Sequence, residues 1–508
     1  MKKFDLDEPL IELVNGDKKS LFTINTSLEG TQVFGSTGSG KSTGAGKTLA
    51  VNMLKKKFGG IVLCVKKDEV SAWKNYCKIA GRESDLVILE PGGKHYFNFL
   101  EYETKSSDDN ILTDNILSLL KTVIASGESK DSGRENDAFW SSALDQLIAN
   151  VVELSFLAFG KVSVDIMYDI VQTIPSDKKD LETGIKENRQ KPFYIAFEKA
   201  QRNVDSLVKA WYDTVPQFHK DRMERDGTLQ ETIVDKVPRA RMLKIVDQFF
   251  METYVTLSDK TRSIVTFSFS GFLFRLLREP AYSLFCKHSS FCKHSSTVLP
   301  EHCFEGKIVV LNIPVKEYQK VGRDCQVIFK YAFQKAVEKR SINDYTRPVF
   351  LWSDENQFFL MPEDTDFQTT CRSSRVACVY LTQNLANYYA NMGGIKSEDR
   401  VTSYLGSLNT KIFHCNADVG TNKYASELIG EDKVEDVSKS INKGRDFSQG
   451  RNTSLKLERI VRPEHFAKLK SGGKKNNFKV EAYMHRQGDV FPNGQNHRKI
   501  IFNQNFNS

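Results

Sequence analysis

Thr31-Gln32-Val33-Phe34 reads as a short strand and runs without a break into Gly35-Ser36-Thr37-Gly38-Ser39-Gly40-Lys41-Ser42. The residues beyond read as a helix carrying Leu49, Met53 and Leu54. A strand, a glycine loop and a helix in that order constrain the fold more than anything else in the chain. The loop satisfies G-x-x-x-x-G-K-[ST], in which the glycines let successive backbone N–H groups turn inward on phosphate oxygens and the helix N-terminus adds a favourable field. The expected nucleotide-binding residues are therefore Gly35, Ser36, Thr37, Gly38, Ser39, Gly40, Lys41, Ser42 and Thr43. Lys41 is expected to reach the β and γ phosphates of ATP, and Ser42 to place its hydroxyl on Mg²⁺. Gly44-Ala45-Gly46-Lys47-Thr48 follows and ends like a second such loop, but the residue five before Gly46 is Lys41, so only the first register satisfies the motif. Glycine inside a helix costs about 1 kcal/mol relative to alanine. Gly44 and Gly46 therefore point to close backbone packing at the start of that helix.

Hydrolysis needs a strand that ends in acid, with one carboxylate for the Mg²⁺ shell and another to polarise the attacking water. Val349-Phe350-Leu351-Trp352-Ser353-Asp354-Glu355 supplies it. Asp354 is the expected metal-side carboxylate, acting through water, and Glu355 the expected base, which favours water over a kinase acceptor as nucleophile. Gln383 ends the apolar run Val376 to Leu381, placing its amide near a γ-phosphate. Arg372 and Arg375 precede the same run, so either is a candidate arginine finger at a subunit edge.

Around these motifs the chain reads as α/β. Ile61 to Val65, Leu86 to Leu89, Lys307 to Ile313 and Lys411 to His414 are short apolar runs typical of buried parallel strands. Pro9 to Val14 and Ser20 to Thr26 flank Asn15-Gly16, a hairpin signal, and Val480 to Tyr483 with Lys499 to Phe502 suggest a terminal hairpin. From about 105 to 300 helical periodicity takes over, as in Ile116, Leu119, Leu120, Val123 and Ile124, with a polar loop expected over Ser126 to Asn136. The expected organisation is residues 1–104, an inserted all-α domain over 105–300, and 301–508 completing the sheet. At 508 residues more than one lobe is expected. A net charge of +8 permits a polyanionic partner without requiring one. Nine scattered cysteines suit a reducing cytosol, and no uninterrupted apolar stretch approaches a membrane span. The tandem FCKHSS at 285–290 and 291–296 brings Cys286, His288, Cys292 and His294 together, but ligands two apart crowd one metal, so a duplicated loop is expected rather than a zinc site.

FGSTGSGKSTGAGKT, GKIVVLNIPVKEY, RPVFLWSDENQFF, CRSSRVACVYLTQN and TKIFHCN together resemble successive blocks of the type IV coupling proteins, TraG-like conjugative DNA-transfer ATPases of the FtsK/HerA superfamily. The resemblance covers roughly residues 20 to 100 and 300 to 435. It implies a RecA-like P-loop domain with a mainly parallel sheet, interrupted by an all-α domain and assembled as a hexameric ring around DNA. It matches Lys41 and Ser42 to the loop lysine and hydroxyl, Asp354 and Glu355 to the acidic pair, Gln383 to the sensor, and Arg372 to the finger. The implied partners are single-stranded DNA with its relaxase and the components of a type IV secretion channel. Many relatives carry N-terminal transmembrane helices, and their lack here implies a cytoplasmic protein docked at the inner membrane through an anchoring partner. Two other readings share the motor: a HerA-like DNA-processing or defence ATPase, and a secretion ATPase whose substrate is protein.

Overall fold

The structure, a computed structural model, describes residues 3–15, 18–106, 112–127, 137–187, 190–288, 290, 296–392, 397–443, 447–488, 490–492 and 494–505. An antiparallel hairpin, β1 (Pro9–Asn15) and β2 (Lys18–Thr23), opens the chain. The strand expected to continue through Thr26 stops at Thr23, because the Thr23 hydroxyl accepts the Thr26 N–H at 3.2 Å and caps a short helix, α1 (Ile24–Leu28). Then come β3 (Thr31–Phe34), the glycine loop, α2 (Lys47–Lys55), β4 (Gly59–Leu63), α3 (Asp68–Ala80), β5 (Leu86–Leu89) and β6 (His95–Tyr96). A run of helices follows: α4 (Phe99–Ser106), α5 (Leu112–Gly127), α6 (Asp137–Phe159), α7 (Val164–Gln172), α8 (Lys178–Glu187), α9 (Pro192–Thr214), α10 (Gln217–Arg225), α11 (Leu229–Lys236), α12 (Pro238–Gln248) and α13 (Asp259–Leu276).

Alternation resumes with β7 (Ser296–Thr297), β8 (Ile308–Leu311), α14 (Val315–Lys339), β9 (Val349–Ser353), α15 (Asp364–Thr370), β10 (Val376–Thr382), α16 (Leu385–Met392), α17 (Ser397–Gly406), β11 (Thr410–Phe413) and α18 (Val419–Ile429). The chain ends with β12 (Glu431–Lys443), β13 (Phe447–Arg459), α19 (Pro463–Ala467), β14 (Lys479–Arg486) and β15 (His497–Asn503).

Nine strands form one sheet in the order β15-β14-β11-β3-β10-β9-β4-β8-β5. From β11 to β5 every pairing is parallel, and β14 and β15 extend the β11 edge antiparallel. The strands β3, β4, β8, β9, β10 and β11 are buried along their whole length, which is why their sequences are near-continuous apolar runs rather than alternations. Their side chains divide between two cores. Val33, Val62, Phe350, Trp352, Val379 and Leu381 face α2, α3 and the terminal hairpin. Phe34, Ile61, Leu63, Leu351, Cys378 and Tyr380 face a second core that continues without interruption into α5, α6, α9 and α13.

Helix α14 joins the helical lobe to the sheet. Asp324 on α14, fully buried, takes Arg275 of α13 at 3.0 Å and Arg323 at 2.8 Å, and Arg323 also donates to the Ser126 carbonyl at 2.8 Å. Further along, Lys330 and Asp364 form an ion pair at 2.7 Å with neither side chain exposed.

Among the described residues α6 alone, over Phe139–Phe159, is long and apolar enough to span a membrane by length and composition, and Asp145 and Glu153 interrupt its apolar run. Leu147, Ile148, Val151, Val152 and Leu154 of this helix are buried in the core shared with the sheet. The expected loop over 126–136 and the second FCKHSS copy fall largely outside the described residues, among which no cluster of metal-ligating side chains occurs. The antiparallel ribbon β12–β13 has no counterpart among the sequence expectations.

The β11–β14–β15 edge generates a pH prediction. Burial pulls His414 and His485 down from 6.5 to about 4, so both are neutral in the native protein. The unfolded chain takes up these protons first, so stability is lost as pH falls from about 6.5 toward 4. Nδ1 of His485 has no hydrogen-bond partner, so leucine sacrifices no bond there. His485→Leu is expected to flatten the fall of Tm across that window, measured by scanning calorimetry at half-unit pH steps; an unchanged slope would refute the assignment.

Candidate nucleotide site

The site lies at the carboxyl ends of β3, β10 and β9, where the chain departs to opposite sides of β3, the position at which open α/β sheets form a ligand crevice. Two bonds fix the start of the loop. Gly35 N–H donates to the Thr382 carbonyl at 3.3 Å and Ser36 N–H to the Cys415 carbonyl at 3.0 Å. At Gly40, φ is +84° and a Cβ would lie 2.7 Å from Val480, so only glycine fits. The helix begins with a π-type turn over Ser42–Gly46, in which Gly46 N–H reaches back to the Lys41 carbonyl at 2.8 Å. A Cβ at Gly44 would meet Val480 at 3.2 Å and Phe502 at 3.4 Å, on the terminal hairpin, whereas one at Gly46 would meet the Lys41 carbonyl at 3.2 Å and Leu381 of β10 at 3.3 Å.

Three of the expected side chains converge on the acidic pair. Lys41 Nζ donates to Glu355 Oε1 at 3.0 Å and lies 4.0 Å from Asp354 Oδ1, and Ser42 Oγ donates to Asp354 Oδ2 at 2.5 Å. Gln383 Nε2 donates to the same Glu355 oxygen at 3.3 Å. Glu355 follows β9 with φ of 56°, a left-handed conformation that bulky residues rarely adopt and that is found at sites where neighbours over-determine it. Burial alone would raise its pKa, but Lys41 and the amides of Gln357 and Gln383 overcome that and hold the carboxyl below its ordinary value. It is therefore ionised, as a proton acceptor must be.

Sequence reasoning missed three residues here. Gln357 donates to Glu355 Oε2 at 3.0 Å while its carbonyl takes the Thr382 hydroxyl at 2.8 Å, bracing Glu355 against β10. Asn416 accepts from the Ser36 hydroxyl at 3.1 Å and donates to the Gln383 carbonyl at 2.8 Å, joining the loop to Gln383. Its only signal was its place just past the apolar run ending at His414. Glu69 accepts the Val65 and Lys66 N–H groups at 3.2 and 2.9 Å; burial and nearby Asp354 push its carboxyl well above the ordinary range.

Ser39 Oγ is buried and has no partner, Thr37 and Gly38 stand exposed at the crest, and Lys41 and Ser42 already face carboxylates. This donor set fits a polyphosphate with a divalent cation. Arg372 is elsewhere. It lies before β10, whose seven residues, rising about 3.3 Å each, place it roughly 20 Å from Gln383. There it is half-exposed and pairs with Glu29 at 3.2 Å. Arg375 is buried, and its guanidinium donates to the Thr346 carbonyl at 2.8 Å.

Residues 348–471 match the family described as the TraM recognition site of TraD and TraG. The whole chain matches a solved bacterial conjugative coupling protein, TrwBdeltaN70 in an unbound form, at 13% identity and TM-score 0.56, covering 96% of this chain and 93% of that one. The coupling-protein resemblance holds. Two further TrwB structures, one with the non-hydrolysable ATP analogue ADPNP and one with ADP and Mg²⁺, each match at 14% identity and TM-score 0.53, covering 93% of this chain and 85% of theirs. No curated protein sequence matches the chain. The fold is that of TrwB, a nucleotide domain with an all-α insertion.

Lys41→Ala is expected to weaken ATP binding at least 10-fold and abolish hydrolysis, the loss of a charge-assisted contact. Lys47→Ala should be far milder, since Lys47 donates to the Gln504 carbonyl at 2.9 Å instead. Isothermal titration with ATP checks both, and equal losses would mean that the second glycine register binds. Glu355→Gln should keep ATP bound while turnover falls about 100-fold or more; near-normal turnover would remove Glu355 from the chemistry.

Proposed function

We propose that this chain is an ATP- and Mg²⁺-dependent, DNA-translocating coupling protein that forms a hexameric ring and delivers single-stranded DNA, with its relaxase, to a type IV secretion channel. It works at the cytoplasmic side of the inner membrane, held there by a partner. The observation that carries the ATPase reading is the convergence of Lys41, Ser42, Asp354, Glu355 and Gln383 on one crevice. The match of residues 348–471 to the TraD and TraG segment supports the conjugative role, because it spans the acidic strand, the sensor strand and the β12–β13 ribbon.

In this mechanism Lys41 neutralises the β and γ oxygens. Ser42 and Asp354 would hold Mg²⁺, which supplies charge neutralisation at the phosphates. Glu355 takes the proton of the attacking water. Gln383, bonded to that carboxylate, registers loss of the γ-phosphoryl and passes it to α16, which begins two residues later. Arg372 is too far from its own crevice to act there, so it is assigned to a neighbouring protomer's site.

The ring and the finger are tested together. Arg372→Ala subunits retain Lys41 and Glu355, and Glu355→Gln subunits retain Arg372, so mixed rings contain interfaces with both good halves. With DNA present and subunit exchange verified, the steady-state ATPase rate is expected to rise above both parents at intermediate ratios. A rate at the parental floor throughout would remove Arg372 from a role across the interface. DNA should stimulate hydrolysis and bind with affinity that falls steeply with salt, as counterion release dictates; affinity flat across salt would favour a protein substrate.

A further inference from the structure

The C-terminal end of the chain is bonded into the start of the phosphate-loop helix. Gln504 lies immediately beyond β15, and its backbone carbonyl accepts from Lys47 Nζ at 2.9 Å. Its side-chain amide makes two bonds: Oε1 accepts the Gly473 N–H at 2.7 Å, and Nε2 donates to the Thr43 hydroxyl oxygen at 2.6 Å. Val480 and Phe502, on the two strands of the terminal hairpin, fill the space that side chains at Gly40 and Gly44 would occupy. The hairpin therefore sits against the back of the loop, with Gln504 at its exposed rim.

The orientation of this amide follows from chemistry. A backbone N–H can only donate, so the Gln504 carbonyl oxygen must face Gly473. The amide nitrogen then faces Thr43, and the Thr43 oxygen must accept. A hydroxyl that accepts one bond still has its own proton to give, and here that proton is directed away from the amide. Thr43 is exposed and follows Ser42 in the loop.

We infer that Gln504 is a nucleotide-positioning residue, which acts through Thr43 by fixing the hydroxyl as a donor to the phosphate nearest the start of the helix. This rests on the assignment of the glycine loop as the nucleotide site. It adds a residue from the far end of the chain to a site otherwise built from the loop, the acidic strand and the sensor strand. The contact would be made with ADP as well as ATP, since it does not involve the transferred phosphoryl group.

The inference makes an ordering that a purely structural role would reverse. Gln504→Glu keeps the shape and can still accept from Gly473, but its second oxygen would take the Thr43 proton and add a negative charge beside the phosphates. Gln504→Ala merely frees the hydroxyl. The experiment is titration of the full chain with Mg-ADP at pH 7.5, alongside thermal melts without nucleotide. Gln504→Ala is expected to weaken ADP binding about 5- to 10-fold, less than the full loss of a hydrogen bond to a charged group because the hydroxyl remains, and Gln504→Glu is expected to weaken it further. Thr43→Ser should bind as the parent does, Thr43→Val at least as weakly as Gln504→Ala, and the double variant Thr43→Val/Gln504→Ala no worse than Thr43→Val alone.

Parental affinity in Gln504→Glu would overturn the inference. So would additive losses in the double variant, or losses accounted for by unfolding in the melts. Lys41→Ala is run in parallel: undiminished ADP binding there would mean that the loop assignment itself has failed, a result distinguishable from failure of the Gln504 role.

Discussion

The register of four parallel strands sets every distance in the site. Phe34 lies level with Thr382 on β10 and with Phe413 on β11, while Ser353 on β9 lies level with Tyr380. The glycine loop, the sensor glutamine and the acidic pair therefore leave the sheet at adjacent ends within about two residues of one another. Slipping β9 by one residue would move Asp354 about 3.3 Å, more than the length of its bond to Ser42, and would turn Trp352 from the α2 and α3 side into the opposite core. Burial of both faces leaves no tolerance for such a slip. The apolar runs that make the strands recognisable also make the chemistry reproducible.

Buried polar groups do a different job beside them. Lys330 gives its ammonium to Asp364 and to the Phe359 carbonyl at 2.9 Å, and Asp364 also takes Gln334 at 3.0 Å and the Met361 N–H at 2.9 Å. Such a pair contributes little against a hydrophobic replacement, yet loss of one partner costs about 3–5 kcal/mol because it strands a buried charge. Its effect is positional. It anchors the segment that follows Glu355 to α14, while Asn356 donates to the Tyr404 hydroxyl at 2.8 Å and Tyr388 donates to Gln32 at 2.8 Å. The left-handed turn at Glu355 is thus held from the residues after it as well as from Lys41 before it.

The strand and loop signals were legible because they are local. Lys41, Ser42, Asp354 and Glu355 follow from spacing and from apolar runs that end in polar residues, and the structure brings them together with Gln383. What escaped was whatever depends on a partner far along the chain. Gln357, Asn416 and Gln504 are unremarkable amides in sequence, and their roles arise from neighbours supplied by other strands. Gly44 and Gly46 signalled close packing but could not name its causes, Val480 and Phe502 at the first and Leu381 at the second. The β12–β13 ribbon was missed for another reason. Its paired strands are rich in charged and polar residues, and among their described side chains Val434, Leu455 and Leu457 are exposed, so there no buried face stamps a pattern on the sequence.

The helical insertion separates Lys41 from Glu355 by 314 positions and yet leaves their contact at 3.0 Å. It can do so because the lobe is added to one face of the sheet rather than to the strand ends, sharing the core that includes Phe34, Leu351 and Tyr380. Helix α14 bridges the two. Its first half is tied to α13 and α5 through Asp324 and Arg323, and its second half to the segment after Glu355 through Lys330 and Gln334. A displacement of α5 or α13 must strain the bonds of Asp324 and Arg323 or carry α14 with it, and α14 cannot shift without loading the Lys330–Asp364 pair. Close-packed interiors transmit such displacements rather than absorb them. The lobe and the acidic pair are therefore mechanically continuous through a single helix, although the sequence places them in different parts of the chain.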